Sequence, residues 1–354
     1  MGVSEKVDRD PVADLRRIAF LLERALASSY RVKAFRGAAA ALLSSTPSEI
    51  RALSDAGELR SLKGIGDRTA GVIEESLAGQ VPAYLATLEE EALTPLATGG
   101  LALRAALRGD CHSHSDWSDG GSPPAEMAWT AKEIGHEYLV LTDHSPRLKV
   151  ANGLTADRLR RQLDVIDVIN RQLAPFRMLT GIEVDILDDG TLDQDPELLA
   201  RLDVVVASVH SKLAMPAEEM TRRMLTAVAD PNTDILGHCT GRMVKGREGR
   251  NPNGRPESQF DAAAVFAACQ EHGTAVEINS RPERLDPPRR LLRQAVEAGC
   301  VFSIDTDGHA PGQLDWQIIG CARAEECEVP ADRVINTWSA DDLLAWAGKR
   351  SSGG

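Results

Sequence analysis

Apolar positions between residues 10 and 93 recur with helical spacing. In PVADLRRIAFLLERALASS, Leu15, Ile18, Leu21, Leu22 and Ala25 fall on one face. Four short helices are predicted for this segment. Thr46 opens TPSE with Pro47 at a first helical position and Glu49 three residues on, an N-terminal capping box. In LKGIGDRTAGVIEESLAG, Gly64-Ile65-Gly66 separates two helical stretches, and Gly79 has the character of a helix C-cap. From 94 to 107 the sequence TPLATGGLALRAAL is small, apolar and glycine-containing, which suits a linker.

Beyond Arg108 the period changes, and short β-prone runs alternate with helical ones, as in parallel βα units. The expected strands are GDCHSH (109–114), YLVLTDH (138–144), RMLTGIEVDI (177–186), LDVVVASVH (202–210), TDILGH (233–238), GTAVEIN (273–279) and GCVFSIDTDGH (299–309). Helical stretches such as TADRLRRQLDVIDVINRQL fill the gaps. Seven such units predict an α/β barrel. The expected organisation is a flexible N-terminus (1–9), a small all-α domain (10–93), a linker (94–107) and the barrel domain (108–350).

The chain has 354 residues, 43% hydrophobic and 26% charged, an ordinary globular balance with room for one large and one small domain. Its net charge is -13, of which the first 100 residues, with 12 basic and 14 acidic side chains, carry only -2. No global positive field exists to hold a polyanion, so any nucleic-acid contact must be local. Six cysteines lack metal or disulfide-scaffold spacing and read as reduced, mostly buried thiols. The N-terminus has no apolar signal segment, and no run of about 18 apolar residues occurs, so a cytoplasmic protein without membrane contact is expected.

Of eight histidines, His114, His144, His210, His238 and His309 each close an expected strand, and His112 precedes His114 by two residues. Carboxylates accompany them at Asp119, Glu183 and Asp307. In a βα barrel the C-terminal strand ends converge on one face, so these distant residues would meet. The i, i+2 spacing of His112 and His114 puts two imidazoles on one side of a strand, and Asp307 and His309 repeat it. Glu183 has two oxygens with which to bridge a pair of metals. Gathering so many titratable groups without cations would cost heavily in desolvation and repulsion. A metal site is therefore expected, and His136 and His272, in helical or turn positions, stand outside it.

HSHSDWSDGGS, followed in order by LTDHS, GIEVDI, SVHS, LGH and TDGH, resembles the PHP (polymerase and histidinol phosphatase) superfamily over roughly residues 108–345. The resemblance is nearest to the PHP domain at the C-terminus of bacterial and archaeal family X DNA polymerases. Cys239 and Gly308 stand where that family usually has proline and alanine. The resemblance implies a distorted seven-unit (βα) barrel with three divalent ions, for which Zn, Mn and Fe all suit the mixed shells. By position, His112, His114, Glu183 and Asp307 would hold the first, Glu183, His210 and His238 the second, and Asp119, His144 and His309 the third. Glu183, His112 and Asp307 form the expected catalytic core. A water activated by clustered ions would attack a phosphoester as hydroxide. Lys212, Arg242, Arg281 and Arg284, near strand ends, are candidates to orient the phosphate.

The N-terminal segment resembles the helix-hairpin-helix 8-kDa subdomain of family X polymerases through VKAFRGAAAALLSS and LKGIGDRTAGVIEESLAGQVP. Lys33, Arg36, Lys63, Gly64, Gly66 and Arg68 are the expected contacts to the DNA backbone. Val72 occupies the position of the Schiff-base lysine in relatives with lyase activity, so lyase chemistry by that route is not expected. Only about 15 residues join Ala92 to Arg108, which leaves no room for a polymerase palm. The expected activity is a metal-dependent phosphoesterase acting on DNA at 3' ends, gaps or abasic damage in repair, as an exonuclease or 3'-phosphodiesterase. The alternatives are a phosphatase of a small phosphorylated metabolite such as histidinol phosphate, and a non-catalytic DNA-binding protein with structural metals.

Overall fold

The computed structural model describes residues 9–246 and 253–351. The chain divides into two compact units between Pro95 and Leu96. Among the described residues the first unit holds five α-helices where the periodicity predicts four: α1 (Pro11–Arg24), α2 (Ser29–Leu43), α3 (Pro47–Asp55), α4 (Asp67–Leu77) and α5 (Ala83–Ala92). Gly79 and Pro82 make the difference by cutting the last helical stretch in two. Gly79, at φ +79°, donates to the Ser76 carbonyl at 2.8 Å and ends α4, and Pro82 stands at the N-cap of α5. The capping box at Thr46 forms as expected: its hydroxyl accepts from Glu49 N at 3.3 Å and Glu49 Oε2 accepts from Thr46 N at 2.7 Å.

The second unit contains seven parallel strands in chain order: β1 (Gly109–Ser113), β2 (Tyr138–Leu141), β3 (Arg177–Asp185), β4 (Val204–Ser208), β5 (Ile235–Leu236), β6 (Ala275–Asn279) and β7 (Phe302–Asp305). Every expected strand is present. Helices return the chain between them, as the right-handed βα repeat requires: α7 (Pro124–Glu133), α8 (Ala156–Leu173), the single-turn α9 (Pro196–Leu199), α10 (Ala217–Ala229), α11 (Ala262–His272) and α12 (Arg289–Glu297). Two more, α13 (Gln317–Glu326) and α14 (Ala340–Ser351), follow β7. The stretch read as a linker, 94–107, contains α6 (Leu101–Ala106), which packs on α13, and Gly100 N donates to the Glu325 carboxylate.

Alternation along the strands sorts two apolar sets. Ile182, Val184, Val205, Ala207, Val276, Ile278 and Phe302 pack outward with helix side chains, whereas Val140, Leu179, Val204, Val206, Ile235 and Ala275 share a cluster with Ile335 and Leu343 of the C-terminal segment. On this second face the chemistry changes toward the strand ends. Leu179 gives way four residues later to Glu183, Ala275 to Glu277 and Asn279, and Val206 to Ser208. The barrel thus has an apolar floor and a polar mouth.

β1 and β7 meet without a regular ladder. A single parallel bridge joins Ser113 to Gly308, and side chains supply the remaining links. Asp305 Oδ1 accepts from Cys111 N at 2.8 Å, and Asp110 accepts from Thr306 N at 3.3 Å. Asn336 Nδ2 donates to Gly109 O at 3.2 Å and to Ile304 O at 3.1 Å, while its Oδ1 accepts from Ile304 N at 2.7 Å. All six cysteines are buried, and none is in a disulfide. Among the described residues no helix is long and apolar enough to cross a membrane.

Candidate metal centre

The nine residues singled out at the strand ends come together at the barrel mouth, with Glu183 at the centre. Its Oε2 lies 2.9 Å from His144 Nδ1, 3.4 Å from His112 Nε2 and 3.6 Å from His114 Nε2. Its Oε1 lies 2.8 Å from His238 Nε2 and 3.2 Å from His210 Nε2. Asp307 Oδ1 is 3.5 Å from His114 Nε2, and Asp119 Oδ1 is 3.4 Å from His144 Nε2 and 3.3 Å from His309 Nε2. Asp307 follows β7 at φ +50°, a left-handed backbone that an aspartate tolerates better than most residues.

Three sets have ligand atoms within 4.8 Å of one another: His114, Asp119, His144 and His309; His112, His114 and Asp307; and His144, Glu183 and His210. In the last set His144 stands where the resemblance places His238, whose Nε2 is hydrogen-bonded to Glu183 Oε1. The donors fit divalent ions. His112 Nε2, both ring nitrogens of His114, His144 Nδ1, Glu183 Oε2, His210 Nε2 and His238 Nδ1 are buried and make no hydrogen bond. Buried polar atoms are rarely left so, and imidazole mixed with carboxylate is a ligand set for Zn, Mn or Fe.

Electrostatics reinforce the pattern. Burial pushes the Glu183 carboxyl up, but His210, His112 and His144 outweigh it and hold the group well below the usual carboxylate range. Burial likewise opposes ionisation of Asp307, and the Arg284 and Arg281 guanidinium groups overcome it. His114 is pushed down to about 3 by burial and by His309 and His144. His210 rises to about 9 because Glu183 and Asp185 outweigh its burial.

A cavity of about 350 Å³ opens over this cluster, lined by Asp119, His144, His210, Asp307 and His309 and by three arginines, Arg255, Arg281 and Arg284. Arg284 Nε lies 2.9 Å from Asp307 Oδ2, and Arg281 Nη1 lies 3.5 Å from Asp307 Oδ1. The other two phosphate candidates are not among the lining residues. Lys212 Nζ is paired with Asp188 at 2.7 Å, and Arg242 spends its guanidinium on the carbonyls of Arg284 and Leu285.

Residues 110–281 match the model of the PHP domain, and residues 9–81 match that of a Helix-hairpin-helix domain. The barrel is a PHP domain. Among curated proteins the chain is 39% identical over 240 residues to the DNA polymerase/3'-5' exonuclease PolX of Bacillus subtilis (strain 168), a match covering 68% of this chain. That match spans 41% of the relative's own length. A "Probable phosphatase" of Thermoanaerobacter sp. (strain X514) is 27% identical over 239 residues, covering 64% of this chain and 89% of that one. Among solved structures, a histidinol phosphate phosphatase from Lactococcus lactis, complexed with zinc, L-histidinol and phosphate, is similar with 19% identity and a TM-score of 0.43. That similarity covers 62% of this chain and 93% of the other.

Two carboxylates of the PHP domain escaped the sequence reading. Glu277 is buried in β6, with Oε1 2.6 Å from His112 Nδ1 and Oε2 accepting from His238 N. Asp185 Oδ1 lies 2.8 Å from His210 Nδ1. Each fixes the far ring nitrogen of a histidine whose Nε2 faces Glu183, the arrangement that orients metal-binding imidazoles. The available signal was the i, i+2 pair Glu277 and Asn279 in GTAVEIN, two polar residues on one face of an otherwise apolar strand.

In the helix-hairpin-helix domain, Lys33, Lys63, Gly64, Gly66 and Arg68 are exposed. Gly64 turns at φ +98° and Gly66 N-caps α4, as the hairpin requires. Arg36 differs, because its guanidinium meets Glu23 at 2.9 and 2.8 Å in a mostly buried bidentate pair. It joins α2 to α1, and that explains its presence in AFRGAA without any phosphate. Val72 is buried within α4.

Proposed function

We propose that the chain is a metal-dependent phosphoesterase acting on DNA at 3' ends, gaps or abasic sites, with the helix-hairpin-helix domain holding the DNA backbone. The observation that carries the reading is Glu183, whose two oxygens face five imidazoles, each with a buried ring nitrogen that makes no hydrogen bond, beneath a cavity walled by arginines. His112, His114, Asp119, His144, Glu183, His210, His238, Asp307 and His309 would hold up to three ions. Bound there, divalent cations supply Lewis acidity to a water and to the phosphoryl oxygens.

The protein's own groups do the rest. Arg281 and Arg284, braced by Asp307, present planar guanidinium donors to phosphoryl oxygens and fix their orientation. Glu183 and Asp307 stay ionised despite burial and so remain available as ligands. Glu277 and Asp185 hold two imidazoles in the rotamers the centre needs. Lys63 and Arg68, exposed beside the Gly64-Ile65-Gly66 turn, would contact backbone phosphates without reading bases.

The test is metal analysis joined to a substrate panel of 3'-phosphate, 3'-recessed, gapped and abasic DNA, with histidinol phosphate alongside and Glu183→Ala as control. Release of product from DNA with Mn or Zn present is the expected result, and inertness toward every DNA overturns the reading. A small-molecule phosphatase is the second reading, favoured by a cavity of about 350 Å³, within the range of metabolite sites. Turnover of histidinol phosphate without DNA hydrolysis would establish it.

A further inference from the structure

Arg255 is the cavity arginine that no sequence motif marks. It lies across from Met243 in a two-residue antiparallel bridge: Met243 N donates to Arg255 O at 2.9 Å and Arg255 N to Met243 O at 2.8 Å. The preceding Gly254 sits at φ +75°, and a Cβ there would come within 1.9 Å of Met243 O, so only glycine permits this approach. Among the described residues the side chain is tied at one point, Nε donating to Gly241 O at 2.6 Å. Such a tether fixes the plane of the guanidinium and leaves its terminal nitrogens to a ligand.

Its charge is treated differently from those of its neighbours. Arg281 and Arg284 both face Asp307, whereas Arg255 makes no ion pair among the described residues. Burial, and then the nearby Arg284 charge, lower its pKa from the ordinary arginine value, against the weaker opposing pull of Asp286. A half-buried cation set beside another cation, with no ion pair among the described residues, is an arrangement that an incoming anion relieves.

Position says which anion. Arg255 and Met243 also line a second cavity of about 400 Å³, whose wall carries Arg242, Glu257 and Arg290. Glu257 is shared between Arg242 and Arg290, so that wall carries three arginines and one acid. A monoester with its phosphate at the metal cluster would fill the first cavity and need nothing from the second. A strand with a further phosphate would pass Arg255 on the way from one to the other.

We infer that Arg255 binds the phosphate next to the scissile one and makes the site selective for substrates carrying at least two phosphates in a chain. The inference rests on the phosphoesterase reading and narrows its substrate class. Arg255 contacts a non-reacting part of the substrate, so it acts on binding, and removing it should raise KM without lowering kcat.

The experiment compares wild-type, Arg255→Gln and Arg255→Lys proteins, each loaded with Mn, in two assays. The first is steady-state hydrolysis of a short oligonucleotide and of p-nitrophenyl phosphate. Arg255→Gln is expected to raise KM for the oligonucleotide about tenfold, the loss of one charge-assisted contact, and to affect the monoester far less. The second is calorimetric binding of pyrophosphate and of phosphate, in which pyrophosphate should weaken much more than phosphate. Arg255→Lys keeps the charge and loses the fork, so its effect should fall between. Equal effects on one-phosphate and two-phosphate ligands, or no effect on either, overturn the inference. If Arg255→Gln fails to fold, Arg255→Lys carries the test on the same two comparisons. Protein that hydrolyses no ester sinks the phosphoesterase reading, while the binding assay still decides the role of Arg255.

Discussion

Glu183 Oε1 lies 2.8 Å from His238 Nε2, while the other oxygen of the same carboxylate lies 2.9 Å from His144 Nδ1. One side chain therefore couples histidines from two non-adjacent strand ends. Replacing Glu183 with alanine should remove at least two bound ions per chain and lower hydrolysis about a thousandfold, with the fold retained. Metal analysis by mass spectrometry and a turnover assay check both. Full metal content in the variant would refute the bridging role.

Glu277 and Asp185 act through the imidazoles they hold. Glu277→Gln and Asp185→Asn should each weaken metal affinity by about 10-fold to 100-fold, as loss of an orienting carboxylate does elsewhere. Competition titrations with a chromophoric chelator read this. The circular dichroism spectrum should not change. Asp203→Asn, a swap of the same kind at a carboxylate that bonds Thr180 and belongs to none of the three ligand sets, serves as the control.

Metal uptake should be linked to protons. His210, pushed up to about 9, is protonated at pH 7 in the metal-free protein, and an ion requires the neutral ring. Binding at pH 7 should thus release protons, and affinity should fall as pH drops from 9 toward 6. Calorimetry in buffers of different ionisation enthalpy measures the number released. In the metal-free protein the same raised pKa works the other way. Its stabilising contribution is complete below about 6.5 and is lost as pH rises through about 9, so metal-free protein should melt at a lower temperature at pH 10 than at pH 7.

Arg36 separates stability from DNA binding. Breaking its mostly buried pair with Glu23 through Arg36→Ala should destabilise the helical domain by roughly 3 kcal/mol. Lys63→Ala and Arg68→Ala should leave stability within about 0.5 kcal/mol, as surface changes usually do, and reduce the salt dependence of DNA binding. Thermal melts and mobility shifts at several salt concentrations distinguish the two classes.

Residues that announce themselves by type and place were legible in the sequence. Histidine and aspartate are conspicuous when they close a β-prone run, so the seven strands and the nine members of the cluster could be read from spacing alone. Glu277 was not, because it sits within a strand instead of closing one and its partner, His112, is 165 residues away. Arg36 misled for a similar reason: its acid partner lies on a different helix, 13 residues earlier. The helix at 101–106 was hidden because what anchors its start, Glu325, comes from α13, 225 residues further on. Lys212 and Arg242 stood at the right distance from histidines, but distance along a chain does not say which way a long side chain turns.

The closure between β1 and β7 has a consequence for how the whole rim is kept. The strand bearing His112 and the strand leading to Asp307 are joined by Asp110, Asp305 and the amide of Asn336, the last a residue downstream of every group in the cluster. That amide works as a clasp on a bracelet. A chain stopped short of it would still spell out all nine ligands, yet it would lack the fastener that draws the first of them to the last.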